Sequence, residues 1–166
     1  MKYSASTREQ DPSEMPSESP QLLRELYRAY TEENAAIADY GYAEVLLEQH
    51  LPQAAELFSS ISMTEMRHYE TLARLLRDQG APFALRTTIR STPYRLLSDA
   101  DSHAPVVAQQ ILKDRIRDEK NANLTYRGLA KRAVGERMRS TLLAISEDEG
   151  QHAKALEMAL ARLERS

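Results

Sequence analysis

The chain has 166 residues, of which 42% are hydrophobic and 28% are charged, and its formal net charge is −3. These values are ordinary for one soluble domain and give no basis for a nucleic-acid-binding surface. The sequence contains no Cys, which excludes disulfides, thiol nucleophiles and cysteine-held iron or zinc. Because it shows neither the apolar core of a signal peptide nor a run long enough to span a membrane, we predict a cytoplasmic protein without membrane contact.

The N-terminal segment, residues 1–19, is rich in Ser, Pro and Glu and offers little to bury. This composition predicts a flexible tail that becomes ordered only where another part of the protein holds it. From residue 20 onward apolar side chains recur at helical spacing, so residues 20–166 are predicted to form the folded domain.

Two helices are predicted in the first half of this domain, over about residues 20–50 and 52–79. Pro52 suits the first turn of the second helix, and Gly80 suits the position just after its end. Because so short a connection leaves the chain no room to cross the domain, the two helices should be antiparallel neighbours.

The connection that follows, residues 80–104, contains Pro82 and Pro93 and breaks the helical pattern. Loops of this length are uncommon inside compact domains. We therefore predict a crossover that runs the length of a helical bundle, with a short helical turn at about residues 93–97.

Two further helices are predicted over about residues 104–134 and 136–164, with Pro105 in the first turn of one and Gly135 between them. Strand signals are absent from the sequence. The predicted fold is an all-α four-helix bundle, built from two antiparallel helix pairs joined by a long crossover.

One spacing occurs twice, as Glu65-Met66-Arg67-His68 and as Glu149-Gly150-Gln151-His152. Residues three apart lie on one face of a helix, so each pair can direct a carboxylate and an imidazole at the same point. A single match is weak evidence in a Glu-rich chain. Two matches, each preceded by a Glu about thirty residues earlier, indicate a metal site rather than solvent-facing pairs.

The two preceding acids, Glu33 and Glu119, fall at a suitable height. Glu33 lies about eighteen residues before the first turn, and the first Glu-x-x-His pair lies about fourteen to seventeen residues after it. In the second half, Glu119 lies about sixteen residues before the turn at Gly135, and Glu149 and His152 lie about fourteen and seventeen residues after it. At 1.5 Å per residue, all six side chains can share one level of the bundle.

Four carboxylates at one level of a low-dielectric interior would repel one another unless cations lay between them. Two divalent ions would balance four negative charges with both imidazoles neutral. A mixed oxygen and nitrogen donor set suits iron or manganese, and it does not exclude zinc or cobalt.

The two halves of the chain also resemble each other. When Glu33 is placed on Glu119, Tyr40 falls on Tyr126, and the two Glu-x-x-His segments align with a register that differs by about two residues. A helix pair used twice and related by an approximate two-fold axis is the simplest interpretation.

These segments resemble the ferritin-like di-iron carboxylate proteins, most closely the rubrerythrins. The resemblance spans about residues 20–164 and rests on four segments in a characteristic order, Ala29–Glu33, Glu65–His68, Asp118–Asn121 and Glu149–His152. It implies two iron ions, or manganese as an alternative, with zinc in some preparations.

The resemblance also implies a role for each ligand. Glu65 and Glu149 would bridge two ions. Each ion would then be completed by one further Glu and one His, and these are Glu33 with His68 and Glu119 with His152.

Three residues outside this ligand set match the family or the local pattern. Tyr40 and Tyr126 match positions at which rubrerythrins place tyrosines that bond to ligand carboxylates; the alternative is that they are half-buried aromatic side chains. Asp148 precedes a predicted bridging ligand and would either orient His68 or face solvent.

Two departures from the rubrerythrin pattern affect the expected chemistry. Many rubrerythrins carry an extra Glu one turn after the third-helix ligand, where this chain has Ala122 and Asn123. Rubrerythrins also commonly append a cysteine-ligated rubredoxin domain, which a chain without Cys cannot contain. A reductase activity would therefore need a separate electron donor.

The leading hypothesis is a di-iron oxidoreductase that reduces peroxide or dioxygen, or oxidises ferrous iron. The alternatives are a dimanganese centre that disproportionates peroxide and a non-catalytic iron-binding module. We predict a homodimer, with exchange of a helix pair through the crossover as one route, rather than a ferritin cage, because no fifth helix is indicated after the fourth.

Overall fold

The computed structural model describes residues 17–81 and 103–165 and shows four α-helices there. They are α1 (Pro20–Leu47), α2 (Pro52–Asp78), α3 (Ala104–Arg132) and α4 (Glu136–Leu163). The described residues contain no strand, which confirms the all-α class. The predicted turn at residues 93–97 and residues 1–16 of the predicted tail lie outside the described residues.

Local sequence signals account for where the helices begin and end. The Ser19 side chain caps α1 by accepting a hydrogen bond of 3.2 Å from the backbone N–H of Leu22. Gly80 adopts a left-handed φ of 63° after α2, and the N–H of Ala81 returns to the carbonyl of Leu76 at 3.0 Å. This pattern ends α2 because few residues other than Gly adopt that conformation without strain.

The end of α1 differs from the expectation. The helix stops at Leu47 instead of continuing to about residue 50, and residues 48–50 form a turn. Pro52 explains the difference, because a proline disfavours helical geometry in the residue before it; Leu51 has φ −140° and ψ 66°.

The helices pair as α1 with α2 and α3 with α4, and the backbones approach most closely within each pair. Across the pairs, α1 and α3 are antiparallel, since Glu25 contacts Arg132 while Asp39 lies 2.9 Å from Arg115. Helices α2 and α3 therefore run in the same direction. The end of α2 and the start of α3 therefore lie at opposite ends of the bundle.

The interior consists of two apolar clusters with a polar layer between them. One cluster contains Leu26, Leu72 and Leu142, and the other contains Phe58 and Leu112. Within the described residues, no helix combines the length and apolar character needed to cross a bilayer. The buried charged side chains, apart from Glu18, lie in the layer between the clusters.

Glu18 belongs to the segment predicted as tail, yet its side chain is buried. Its carboxylate accepts hydrogen bonds from the backbone N–H groups of Val134, at 3.0 Å, and Gly135, at 2.9 Å, at the start of α4. Its own N–H donates to the side chain of Gln79 at 2.9 Å. Glu18 thus ties the entry to α1 to the end of α2 and the turn before α4.

We expect Glu18→Ala to lower the free energy of unfolding by about 2 kcal/mol, because one buried and one partly buried N–H group would lose a charged acceptor. Urea denaturation of the metal-free protein measures the change. Glu56→Ala, which removes an exposed carboxylate from α2, should change stability by less than about 0.5 kcal/mol. Equal effects of the two substitutions would contradict a special role for Glu18.

Candidate metal centre

Six acidic and imidazole side chains converge in the polar layer. Helices α1 and α3 contribute one Glu each, and α2 and α4 contribute a Glu and a His separated by one helical turn. These are the six residues predicted as ligands, Glu33, Glu65, His68, Glu119, Glu149 and His152. All four Glu side chains are buried, so the geometry removes them from solvent as a group.

The six side chains form two overlapping groups. Glu33 and His68 belong to one group, and Glu119 and His152 to the other, while Glu65 and Glu149 belong to both. Within each group, one candidate ligand atom from every residue lies within 4.8 Å of the others. We call the first group position 1 and the second group position 2.

Each imidazole directs its Nδ1 atom at the shared carboxylates. His68 Nδ1 lies 3.1 Å from Glu149 Oε1 and 3.5 Å from Glu65 Oε2. His152 Nδ1 lies 3.0 Å from Glu65 Oε1 and 3.5 Å from Glu149 Oε2. Each His therefore faces the Glu of its own helix and the Glu of the opposite pair, as the approximate two-fold axis requires.

Three buried polar atoms of this layer lack the partners that bound cations would provide. Among the described residues, Glu65 Oε1, His68 Nδ1 and Glu149 Oε1 are buried without an aligned hydrogen-bond partner, although His68 and Glu149 approach each other closely. An unsatisfied buried polar group costs about 1–3 kcal/mol. Cations bound between these atoms would satisfy all three, and the mixed donor set suits iron or manganese.

The pKa values of the four carboxylates shift in two directions, although all four groups share the same buried layer. Burial, followed by the neighbouring Glu65, raises the pKa of Glu33 well above its ordinary value, and burial raises that of Glu119 to about 8. Burial also opposes charge on Glu65 and Glu149, but close contacts with the two imidazoles lower the pKa of both. The shared carboxylates are therefore the charged ones in the metal-free protein.

The imidazoles hold protons in the metal-free protein. Burial opposes their charge, but contacts with the surrounding carboxylates raise the pKa of His68 to about 10 and that of His152 to about 12. Two charged imidazoles thus offset the charge of Glu65 and Glu149. In the metal-free protein, protons on these side chains thus supply the positive charge that bound divalent cations would otherwise supply.

Both tyrosines singled out in the sequence are buried and hydrogen-bonded to the layer. Tyr40 on α1 donates to Glu119 Oε1 on α3, and Tyr126 on α3 donates to Glu33 Oε1 on α1. Each tyrosine therefore holds the carboxylate of the opposite pair. Burial and these carboxylates raise the pKa of both phenols well above its ordinary value, so both remain donors.

The outer nitrogen of His68 also has a partner. Its Nε2 atom lies 3.2 Å from Asp148 Oδ2, although the Asp148 side chain is about half exposed. The sequence left orientation of His68 and exposure to solvent as alternatives for Asp148, and the structure shows both.

Two residues near the layer were not recognised as a pair from the sequence. Asn123 donates to the backbone carbonyl and the hydroxyl of Ser146, which in turn donates to the Asn123 carbonyl at 3.1 Å. Ser146 lies three residues before Glu149 on the same face of α4. This spacing could have indicated from the sequence that Ser146 also faces the interior. Asn123 packs against α4, with its side-chain nitrogen 3.2 Å from the place where a Cβ at Gly150 would lie.

A cavity of about 440 Å³ lies between α1 and α3 and reaches the layer. Glu33, Glu119 and Tyr126 line its inner part, and Ala36 and Ala122 are among its other lining residues. This cavity gives a small molecule or ion a route to the terminal carboxylates.

Comparison with known proteins supports the fold and identifies the family. A structure described as a dodecameric thioferritin, the bacterioferritin-related protein from Bacteroides fragilis, matches with a TM-score of 0.66 and 17% identity over 87% of this chain and 89% of that chain. No curated protein matches the chain. A family model, described as the ferritin-like domain, matches residues 23–166. With four helices in this order and a buried carboxylate and histidine layer at mid-height, the chain belongs to the ferritin-like domain family.

Proposed function

We propose that this protein is a di-metal oxidoreductase of the rubrerythrin-like kind, which reduces peroxide or dioxygen, or oxidises ferrous iron. The observation that carries the proposal is the pair of overlapping four-residue groups in the buried layer. In this proposal two iron ions would be the resident cofactor and, when bound, would supply the electrons for cleavage of an O–O bond.

The side chains would divide the work of holding these ions. Glu65 and Glu149 would bridge, because each belongs to both groups. Glu33 and His68 would complete position 1, and Glu119 with its neighbouring imidazole would complete position 2. Glu65 Oε1, His68 Nδ1 and Glu149 Oε1 support this assignment, since all three are buried without an aligned hydrogen-bond partner.

The tyrosines and the cavity would prepare the site for a small substrate. Tyr40 and Tyr126 each restrain one terminal carboxylate through a hydrogen bond from the opposite helix pair. Such restraint fixes the positions of ligands before an ion or substrate arrives. Burial of the layer limits water, and the cavity between α1 and α3 leaves an approach for a molecule the size of peroxide.

Repeated turnover tests the proposed chemistry. The metal-free protein is loaded anaerobically with ferrous iron, oxidised with hydrogen peroxide, and then reduced again with an added reductant. We expect about one peroxide consumed for every two ferrous ions, over several cycles, because peroxide takes two electrons to form water. Glu33→Ala should fail to cycle, while Glu157→Ala, on the exposed side of α4, should behave as the parent protein.

Two results would reject this function. The first is iron that binds but does not react with peroxide, which would leave a binding module. The second is steady release of dioxygen from peroxide by the manganese-loaded protein without a reductant, which would indicate a dimanganese catalase.

We also propose that the chain assembles with copies of itself and acts in the cytoplasm with a separate electron donor. The Bacteroides fragilis neighbour is described as dodecameric, while the sequence favours a homodimer. Light scattering in solution distinguishes the two states. The predicted exchange of helix pairs would run through the crossover, residues 80–104, of which residues 82–102 lie outside the described residues.

A further inference from the structure

The two positions of the candidate metal centre differ in what supports their imidazoles. The approximate two-fold axis that relates His68 to His152 also relates Asp148 to Thr64, because each of these two residues directly precedes a shared Glu. The axis therefore places a carboxylate beside one histidine and a hydroxyl-bearing side chain at the equivalent place beside the other.

At position 1, Asp148 restrains the ligand ring. Its Oδ2 atom lies 3.2 Å from His68 Nε2, while Nδ1 of the same ring faces the carboxylate layer. A carboxylate that accepts the outer N–H keeps the inner nitrogen free to bind an ion and makes that nitrogen more basic. The His68 side chain is only 5% exposed, so packing and this hydrogen bond together restrict its rotation.

At position 2, the matching support is missing from the part of the chain that the structure describes. There, no Asp or Glu lies within ion-pair distance of His152 Nε2, and the His152 side chain is 11% exposed. Thr64 uses its hydroxyl on its own helix, where it donates to the Ser60 carbonyl and accepts from Arg67 at 2.8 Å. Among the described residues, the charged partners of the His152 ring therefore all face its inner nitrogen.

We infer that the two positions bind divalent cations unequally, with Asp148 acting through His68 to make position 1 the retained site and position 2 the exchanging site. This inference rests on the proposed function, because it requires that both positions bind ions. It adds a division of roles to that function. If ferrous iron is the substrate, one ion would remain bound at position 1 while the ion at position 2 is replaced between turnovers.

The binding of Mn²⁺ to the metal-free protein tests the inequality. Calorimetric titration should resolve two phases, with affinities that differ by about 10–100-fold, the range that a partner of a ligand histidine contributes. Asp148→Ala should weaken the first phase by the same factor and bring the two phases together. Glu147→Ala removes the same charge from the adjacent, exposed position on α4 and should leave both phases unchanged.

A reciprocal substitution tests whether the missing partner causes the weaker binding. Thr64→Asp should tighten the second phase by about 10-fold, because it supplies a carboxylate at the place equivalent to that of Asp148. Two identical phases in the parent protein would overturn the inference. So would unchanged binding in both Asp148→Ala and Thr64→Asp.

A spectroscopic measurement separates orientation of the ring from a general loss of stability. In the Co²⁺-loaded protein, the outer N–H proton of each ligand imidazole gives a shifted proton resonance. The His68 signal should exchange slowly with solvent and the His152 signal rapidly; Asp148→Ala should make both rapid. Equal exchange of the two signals in the parent protein would overturn the inference. Absence of any bound ion would reject both this inference and the proposed function, whereas unequal binding without turnover would reject the function alone.

Discussion

Glu65→Ala should weaken both cation positions at once, and Glu33→Ala should remove only one. Glu65 belongs to both four-residue groups, so its loss takes a donor from each, whereas Glu33 belongs to position 1 alone. We expect Glu65→Ala to weaken the binding of both ions by more than about 100-fold. Substitution of a residue that only hydrogen-bonds to a ligand weakens metal binding by about 10–100-fold, and loss of a ligand should cost more. Glu33→Ala should retain about one ion per chain.

Equilibrium dialysis against Mn²⁺, followed by metal analysis, measures both quantities. The matched control is Glu70→Ala, since Glu70 lies on the same helix as Glu65 but is 53% exposed and pairs with Arg74 on the surface. It should bind two ions with unchanged affinity. Retention of two ions by Glu65→Ala would contradict the assignment of Glu65 as a bridge.

Metal loading at pH 7 should release about four protons for each pair of ions. The expected sources are the imidazoles, whose pKa values are about 10 for His68 and about 12 for His152, together with Glu119, with a pKa of about 8, and Glu33, whose pKa is raised well above 4.5. These four groups must lose their protons before they can bind a cation. Since protons and cations compete, metal affinity should rise with pH across the neutral range.

Titration of the unbuffered metal-free protein with Mn²⁺ counts the protons directly. Glu119→Gln keeps an oxygen donor at position 2 but has no proton to release there, so release should fall to about three when both positions are saturated with Mn²⁺. Release of fewer than about two protons by the parent protein would show that the imidazoles are neutral before metal binds.

The main features of the centre were predictable because they follow from helix geometry. A Glu and a His three residues apart share a helix face wherever the helix is placed. Counting residues from the turns then fixes the height of Glu33 and Glu119 to within about one turn. The structure brings these acids together with both Glu-x-x-His pairs in one layer.

Contacts that depend on the relation between helix pairs were less accessible to sequence reasoning. Periodicity shows which face of α1 carries Tyr40, but it does not show that Glu119 on α3 is its partner. Asp148 posed the same difficulty, because a half-exposed side chain at the edge of the interior fits either alternative. Glu18 lies before the first helix, where no periodic pattern identifies a buried residue.

The partition of the interior affects how the bundle would come apart. Leu26 and Phe58 belong to separate apolar clusters, each built from all four helices, and the layer between them is crossed by hydrogen bonds such as those of Tyr40 and Tyr126. Removal of the metal ions by a chelator would take the metal–ligand bonds out of the central polar layer and leave both apolar clusters intact. Beyond the fraying of helix ends, which costs little in any helix, the first larger opening would separate the α1–α2 and α3–α4 hairpins at this central layer.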